Sequence, residues 1–124
     1  MCSKDPSTQV GCVIVNQNNR IASLGYNGFP EGVEDSAERW ENRDVKHLFV
    51  QHAERNALDN ANILVDGCTL YATLKPCVEC AKSIAQKRIK RVVCYKPSFE
   101  TDRFKWNVTE TIFKEAGIEL VEIP

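Results

Sequence analysis

Two short motifs constrain the fold more than any other feature of the sequence. His52-Ala-Glu54 opens a run of helix-forming residues, and Pro76-Cys77-Val-Glu-Cys80 opens a second predicted helix after a short predicted strand. One imidazole and two sulfurs are the right number and kind of protein ligands for a catalytic zinc ion, whose fourth position is left to water. The chain is therefore expected to fold so that the starts of these two helices meet.

The spacing within each motif suits this chemistry. Cys77 and Cys80 are three residues apart, so they share a helical face, and the positive helix end favours both as thiolates. Glu54 follows His52 by two residues and can reach the bound water without ligating the ion, which suits proton transfer. A closed structural zinc site needs a fourth protein ligand, and the only further histidine, His47, is predicted to be solvated. The sequence thus predicts one catalytic Zn²⁺.

Composition limits the class of protein. A chain of 124 residues, 43% hydrophobic and 27% charged, is expected to form a single domain over residues 1–124. Its net charge of -1 argues against a nucleic-acid partner, which requires a basic surface. Without a long apolar run or a secretory pattern, we expect a cytoplasmic protein with no membrane partner. Reduced cysteines outside the metal motif are then predicted to be packing residues: Cys2, Cys12, Cys68 and Cys94.

Residue patterns predict a sheet of five strands with helices between the later ones. The strands are predicted at residues 10–15, 20–26, 68–73, 91–95 and 118–123. The helices are predicted at residues 52–61, 77 to about 89, and 108–116. Residues 27–44 are predicted to be a long irregular binding segment. An opening hairpin followed by alternating helices and strands indicates an α/β fold with a mixed five-stranded sheet covered by helices.

The combination of His-x-Glu with Pro-Cys-x-x-Cys is the signature of zinc deaminases. Further segments resemble the deoxycytidylate (dCMP) deaminase family of the cytidine deaminase-like superfamily, along nearly the whole chain. They are Ser3-Lys-Asp-Pro-Ser-Thr-Gln-Val-Gly11, Gly25-Tyr-Asn-Gly-Phe-Pro-Glu-Gly32 with Asp35 and Trp40, His52-Ala-Glu-Arg-Asn-Ala57, and Pro76-Cys-Val-Glu-Cys-Ala-Lys82. The resemblance implies a three-layer cytidine deaminase-like fold and zinc-dependent hydrolysis of dCMP to dUMP, the precursor for thymidylate synthesis.

The resemblance also implies substrate contacts. Asn27 and Ala53 are expected to contact the substrate, and Asn27 is expected to hold the base and sugar of the nucleotide. Phe99 is expected to lie over the pyrimidine ring, with Trp106 as the second choice. The expected partners of the 5′-phosphate are Arg103, whose guanidinium pairs bidentately with phosphate, and Lys4, an ammonium point charge.

Regulation and assembly are implied as well. A loop containing Gly28, Phe29, Gly32 and Asp35 is expected to bind the regulatory nucleotides dCTP and dTTP, with Mg²⁺. A homo-oligomer is expected, with a hexamer favoured. Family members carry a helix before residue 3, whereas only Met1 and Cys2 precede it here. Two interpretations stay open: either an upstream stretch is missing from this sequence, or the chain starts here and one face of the sheet loses cover.

Several alternatives stay open at this point. The substrate can be another cytosine nucleotide, dCTP or a 5-substituted dCMP, or a base in tRNA, which would have to be flipped into the site. A non-enzymatic zinc module would bind metal without releasing ammonia. The Asn27-Gly28 pair is also a common turn dipeptide with no role in binding.

Overall fold

A computed structural model describes residues 3–6 and 8–124 of the chain, so Cys2 lies outside the described residues. The five strands are β1 (Gly11–Val15), β2 (Ile21–Tyr26), β3 (Thr69–Ala72), β4 (Arg91–Tyr95) and β5 (Glu119–Ile123). The helices are α1 (Ala37–Glu41), α2 (Arg43–Phe49), α3 (Ala53–Asn60), α4 (Val78–Gln86) and α5 (Trp106–Ala116). None of the described helices is both long and apolar enough to cross a membrane.

The strands form one mixed sheet in the order β2-β1-β3-β4-β5. Strand β1 pairs antiparallel with β2 and β3, whereas β3, β4 and β5 are parallel to one another. The parallel strands are connected through α4 and α5, which are the crossovers that parallel pairing requires. The predicted α/β class with a mixed five-stranded sheet is confirmed.

The predicted helix ends differ from the observed ones for local reasons. Helix α4 ends at Gln86 rather than near residue 89, because Arg88 has a positive φ of 61° that a helix cannot continue through. Helix α5 begins two residues earlier than predicted, directly after Lys105, which has a φ of 52°.

The prediction that residues 27–44 are irregular was wrong in its second half, where α1 and the start of α2 lie. Both short helices begin with a side-chain cap. Ser36 accepts a hydrogen bond from the Arg39 amide, and Asn42 accepts from the amides of Asp44 and Val45. Helices of five and seven residues are too short to show the apolar periodicity from which helices are predicted.

The hydrophobic core lies between one face of the sheet and α3, α4 and α5. Its main members are Cys12, Ile14, Leu70, Ala72 and Val92 from the strands, and Ala57, Leu58, Ala81, Ile84 and Phe113 from the helices. Cys12, Cys68 and Cys94 are buried free thiols, in agreement with their predicted packing role.

The opposite face of the sheet is open. Within the described residues no helix packs against it, since α1 and α2 contact each other and the other three helices lie on the core side. The face carries apolar and aromatic side chains that are 39–56% exposed: Leu24, Tyr26, Tyr71, Tyr95 and Ile123. In the described part of the chain, this face of the sheet therefore carries no helical layer.

Gly25 sets how closely α3 approaches the sheet. A Cβ atom at this position would lie 2.5 Å from the amide nitrogen of Ala57 and 2.6 Å from the carbonyl oxygen of Ala53. Both atoms belong to the backbone of α3, so the clash cannot be relieved by a side-chain rotation. The absence of a side chain at Gly25 therefore fixes the position of the helix that follows His52.

We predict that Gly25→Ala pushes α3 away from β2 and lowers the free energy of unfolding by roughly 1–3 kcal/mol, the usual cost of overpacking a core. Gly28→Ala is the matched control, because its added Cβ would meet only a ring carbon of Tyr26, at 3.9 Å. Thermal unfolding of the two variants measures the difference. Equal melting temperatures would contradict this account of Gly25.

Candidate metal centre and active site

The starts of α3 and α4 meet on the core side of the sheet. His52 is the N-cap residue of α3 and Cys77 is that of α4, yet neither side chain caps its own helix. Instead, Nδ1 of His52 lies 3.3 Å from Sγ of Cys77 and 3.3 Å from Sγ of Cys80. The structure therefore brings together the imidazole and the two sulfurs that the motifs singled out.

The three ligand atoms fit a zinc ion. They all lie within 4.8 Å of one another. A tetrahedral ion with Zn–S bonds of about 2.3 Å and Zn–N bonds of about 2.0–2.1 Å separates its ligand atoms by about 3.5–3.8 Å. Within the described part of the chain, no fourth histidine, cysteine or carboxylate joins the cluster. A three-ligand site with a free corner is the pattern of a catalytic rather than a structural zinc.

The two sulfurs are electrostatically unequal before an ion binds. A hydrogen bond from the Cys80 thiol, opposed by burial and assisted by His52, lowers the pKa of Cys77 to about 4. The same sharing of a proton, together with burial, raises the pKa of Cys80. Because the two sulfurs share one proton, binding of a cation to both must displace that proton.

Glu54 lies beside the cluster on the first turn of α3 and is only 4% exposed. Burial raises its pKa to about 7, although its own backbone amide and the nearby His52 oppose that shift. A carboxyl group with a pKa near neutrality can accept and donate a proton with similar ease.

A cavity of about 420 Å³ opens above this cluster, a size typical of small-ligand sites. His52, Ala53, Glu54 and Cys77 line its inner part, where Ala53, Glu54 and Cys77 are buried. The side chains of Arg43, His47 and Arg103 line the same cavity but are exposed, so they form its mouth. The cavity thus runs from a buried metal-binding end to a solvent-facing cationic end.

Asn27 lines the cavity, as expected for a substrate contact, but its side chain already makes four hydrogen bonds. Its Oδ1 accepts from the Ser3 hydroxyl and the Val10 amide, and its Nδ2 donates to Asp5 Oδ2 and the Thr8 carbonyl oxygen. Asn27 therefore holds the segment before β1 against the cavity, and a contact with substrate must replace one of these bonds. Its binding role stays a prediction.

The predicted aromatic contact is placed differently by the structure. Phe99 is 49% exposed and is not among the described residues that line the cavity. Its ring packs against that of Trp106, with centroids 5.6 Å apart and the ring planes tilted by 52°. Phe104 and Trp40 line it instead. The sequence reasoning missed Phe104 because three aromatic residues lie close together in this loop and nothing in their spacing says which one turns inward.

Of the two residues predicted to contact the phosphate, Arg103 lines the cavity and Lys4 does not. Arg103 lines the cavity mouth, where its Nη2 lies 3.5 Å from Nε2 of His47. The side chain of Lys4 is 70% exposed, pairs with Asp35 at 2.7 Å and does not line the cavity. Arg43 and His47, which do line it, were missed because α2 was not predicted. The available signal was the Asn42 cap followed by basic residues four positions apart, which share one helical face.

The predicted regulatory loop packs against α1. Phe29 stacks on Trp40 with ring centroids 4.3 Å apart, and Asp35 accepts a hydrogen bond from the Trp40 indole. Gly28 forms a β-bridge with Gln51, and Gly32 has a φ of 84° that favours glycine. Since Trp40 also lines the cavity, the loop touches one cavity wall. Effector binding here stays a prediction.

Residues 1–96 match the family model described as the cytidine and deoxycytidylate deaminase zinc-binding region. The chain belongs to the cytidine and deoxycytidylate deaminase family. The resemblance inferred from the motifs is thereby confirmed, and the His52, Cys77 and Cys80 cluster lies inside the matched region.

Individual relatives support the same family. A Caenorhabditis elegans protein named "Probable deoxycytidylate deaminase" is 53% identical over 94 residues, which are 73% of this chain and 48% of that protein. The deoxycytidylate deaminase of Homo sapiens is 43% identical over 122 residues, 94% of this chain and 68% of that enzyme. The chain thus spans about half the length of the first relative and about two thirds of the second.

Among solved structures, the dCMP deaminase of the cyanophage S-TIM5 in complex with dCMP and dUMP superposes with a TM-score of 0.70 at 29% identity. The match covers 94% of this chain and 82% of that one. The cytidine deaminase-like fold is therefore confirmed together with the family.

We predict that Glu54→Gln keeps one zinc ion per chain, whereas Cys77→Ser binds zinc weakly, because Cys77 supplies a ligand atom and Glu54 does not. Cys94→Ser is the control, since Cys94 is a buried thiol outside the cluster. Metal analysis after gel filtration measures the zinc content. Loss of zinc from Glu54→Gln, or full zinc content in Cys77→Ser, would contradict these assignments.

Proposed function

We propose that this chain is a zinc-dependent hydrolase that converts dCMP to dUMP and ammonia. One observation carries the proposal: a His-Cys-Cys cluster with a buried carboxyl group, Glu54, lies at the inner end of a cavity whose mouth carries two arginines. A nucleoside monophosphate has the same polarity, with an uncharged base at one end and a dianionic phosphate at the other. The relatives named deoxycytidylate deaminase and the dCMP-bound homologous structure support this substrate.

The substrate is proposed to bind with cytosine at the cluster and phosphate at the mouth. Lys46 and Lys75 also line the cavity, but Asp5 pairs with Lys46, and Glu110 and Glu122 pair with Lys75. In the described part of the chain, neither Arg43 nor Arg103 forms an ion pair. They are therefore the cations available to a phosphate, for which guanidinium groups are well suited.

Not every group at the mouth favours an anion. Glu41 also lines the cavity and carries a negative charge. Burial, and then the positive charges of Arg103, Lys46 and Arg43, lower the pKa of His47, whereas Asp5 opposes the shift. Arg43 and Arg103 give the mouth two positive charges against the one negative charge of Glu41.

The chain supplies three metal ligands and one group that transfers protons. When bound by His52, Cys77 and Cys80, zinc supplies a Lewis acid that makes water a nucleophile near neutral pH. Glu54 takes one proton from the attacking water and gives it to N3 of the cytosine. It then takes the second proton of that water from the new hydroxyl group on C4 and gives it to the departing amino group. Water is consumed at C4, the C4–N bond breaks, and ammonia leaves as dUMP forms.

Other cavity residues hold the base. Ala53 lies between His52 and Glu54 in the sequence. It is fully buried and lines the inner end of the cavity, where it limits how deeply the cytosine ring enters. Phe104 takes the role predicted for Phe99, that of the aromatic side chain over the pyrimidine. Asn27 is proposed to exchange its bond with Asp5 for one with the substrate, because that bond, at 3.2 Å, is the longest of its four.

Three further expectations accompany the proposal. The loop with Gly28, Phe29, Gly32 and Asp35 is proposed to bind dCTP or dTTP with Mg²⁺ and to act on the cavity through the stack of Phe29 on Trp40. The chain is proposed to work as a homo-oligomer, a hexamer by family resemblance. It is proposed to act in the cytoplasm.

Ammonia release from a panel of substrates tests the function. We predict turnover of dCMP and at least 10-fold lower kcat/KM for deoxycytidine, which lacks the phosphate. A tRNA stem-loop should not react, and dCTP shows whether the mouth tolerates a triphosphate. Zinc binding without ammonia from any substrate would support a non-enzymatic module and overturn the proposal.

The same assay tests the proposed orientation of the substrate. Arg43→Gln and Arg103→Gln are expected to lower kcat/KM for dCMP by roughly 10-fold each, because a charge-assisted hydrogen bond is lost. Both variants should leave the slow turnover of deoxycytidine unchanged. Arg20→Gln is the control, an exposed arginine outside the cavity. Equal losses on both substrates would contradict the phosphate assignment.

A further inference from the structure

The backbone on either side of the Cys77 ligand is held by the segment that leads into α5. The carbonyl oxygen of Pro76 accepts a hydrogen bond from the Thr109 hydroxyl at 3.1 Å, and that of Lys75 accepts one from the Trp106 indole at 3.2 Å. On the other side of the ligand, the Val78 amide donates to the carbonyl oxygen of Phe104 at 3.0 Å. The two neighbours of the metal ligand, Pro76 and Val78, and the residue before them, Lys75, are thus tied to one segment, residues 104–109.

The Lys75 side chain adds a second connection to the same part of the chain. Its ammonium group lies 2.7 Å from a carboxylate oxygen of Glu110 on α5 and 2.8 Å from one of Glu122 on β5. The lysine side chain is only 5% exposed, whereas the side chains of Glu110 and Glu122 are 54% and 26% exposed, so a buried ammonium group is held by carboxylates that reach the solvent.

The hydroxyl of Thr109 is used in an unusual way for a helical threonine. A threonine within a helix usually donates to the carbonyl oxygen four residues earlier, and Thr111 does so with Asn107 at 3.0 Å. Thr109 is completely buried and donates to Pro76 instead, 33 residues away in sequence. Its hydrogen bond therefore serves the turn before Cys77 rather than its own helix.

We propose that Trp106 and Thr109 are positioning residues that hold the Cys77 sulfur where His52 and Cys80 can share an ion with it. Both act through the backbone of Lys75 and Pro76 and touch neither the ion nor the substrate. They lie beyond residue 96, where the match to the family model ends, so the zinc motifs do not contain the whole of the metal site.

The physical reason is preorganisation. Cys77 is an N-cap residue whose position depends on the turn that precedes it, because a helix fixes its own residues but not the entry of the chain. A turn that can move by a fraction of an ångström lets the sulfur leave the position that a tetrahedral ion requires. Groups that orient ligands in this way typically change metal affinity by about 10-fold or more when they are removed.

The test is zinc affinity of the full-length protein, measured by competition with a chromophoric chelator, and the absorption spectrum of the Co²⁺-substituted protein. Thr109→Val keeps the shape but loses the hydroxyl, and Trp106→Phe keeps a ring but loses the N–H. Each is expected to weaken zinc binding about 10-fold and to weaken the sulfur-to-cobalt charge-transfer band. Thr109→Ser, which retains the hydroxyl, is expected to restore both.

Thr111→Val is the matched control, since it deletes the same group from the same helix without touching the ligand turn. The metal-free forms are compared by thermal unfolding, so that a loss of folding is seen separately from a loss of metal. Zinc affinities of Thr109→Val and Trp106→Phe within twofold of Thr111→Val would overturn the proposal. If Thr109→Val does not fold, Trp106→Phe decides alone.

The inference rests on the metal site of the proposed function, and the two can fail separately. A wild-type chain that binds no zinc overturns both. A wild-type chain that binds zinc, with positioning variants that bind it equally well, overturns only the role of Trp106 and Thr109.

Discussion

The meeting of one imidazole nitrogen with two sulfurs is the interaction on which the rest of this structure depends. His52 lies at the start of α3, before β3 in the sequence, and the two cysteines lie at the start of α4, after it. The ligands can therefore meet only if α3 and α4 start close together. Gly25 lets α3 lie directly on the sheet, and residues 104–109 hold the turn before α4. The sheet and its helices are arranged so that the His52 nitrogen at one helix start lies 3.3 Å from each cysteine sulfur at the other.

The same arrangement determines the chemistry of the cavity. Because the ligands are on helix starts buried against the sheet, Glu54 is buried with them and its pKa rises into the range useful for proton transfer. The outer wall comes from α2 and from the loop before α5, which are exposed and carry arginines. The cavity thereby has a buried metal-binding end and a cationic mouth that faces the solvent.

The sequence predicted this interior well and its surroundings less well. Residues 91–95 form a strand over the predicted range, because a run of β-branched residues between polar ends has one interpretation. The metal ligands were predictable because zinc restricts both residue type and spacing. The short helices α1 and α2 were missed because they are too short to show an apolar periodicity. Each begins instead with a side-chain cap, at Ser36 and Asn42. Phe104 and the link from Thr109 to Pro76 depend on side-chain direction across long separations, which no local pattern records.

The most direct test of the account is X-ray absorption spectroscopy at the zinc edge of the metal-loaded protein. The structure predicts two sulfur neighbours at about 2.3 Å and two lighter neighbours at about 2.0–2.1 Å, one from His52 and one from solvent. Three or four sulfur neighbours would mean that the ion is enclosed by protein, and none would mean that Cys77 and Cys80 do not bind it. Either result would contradict the proposed centre.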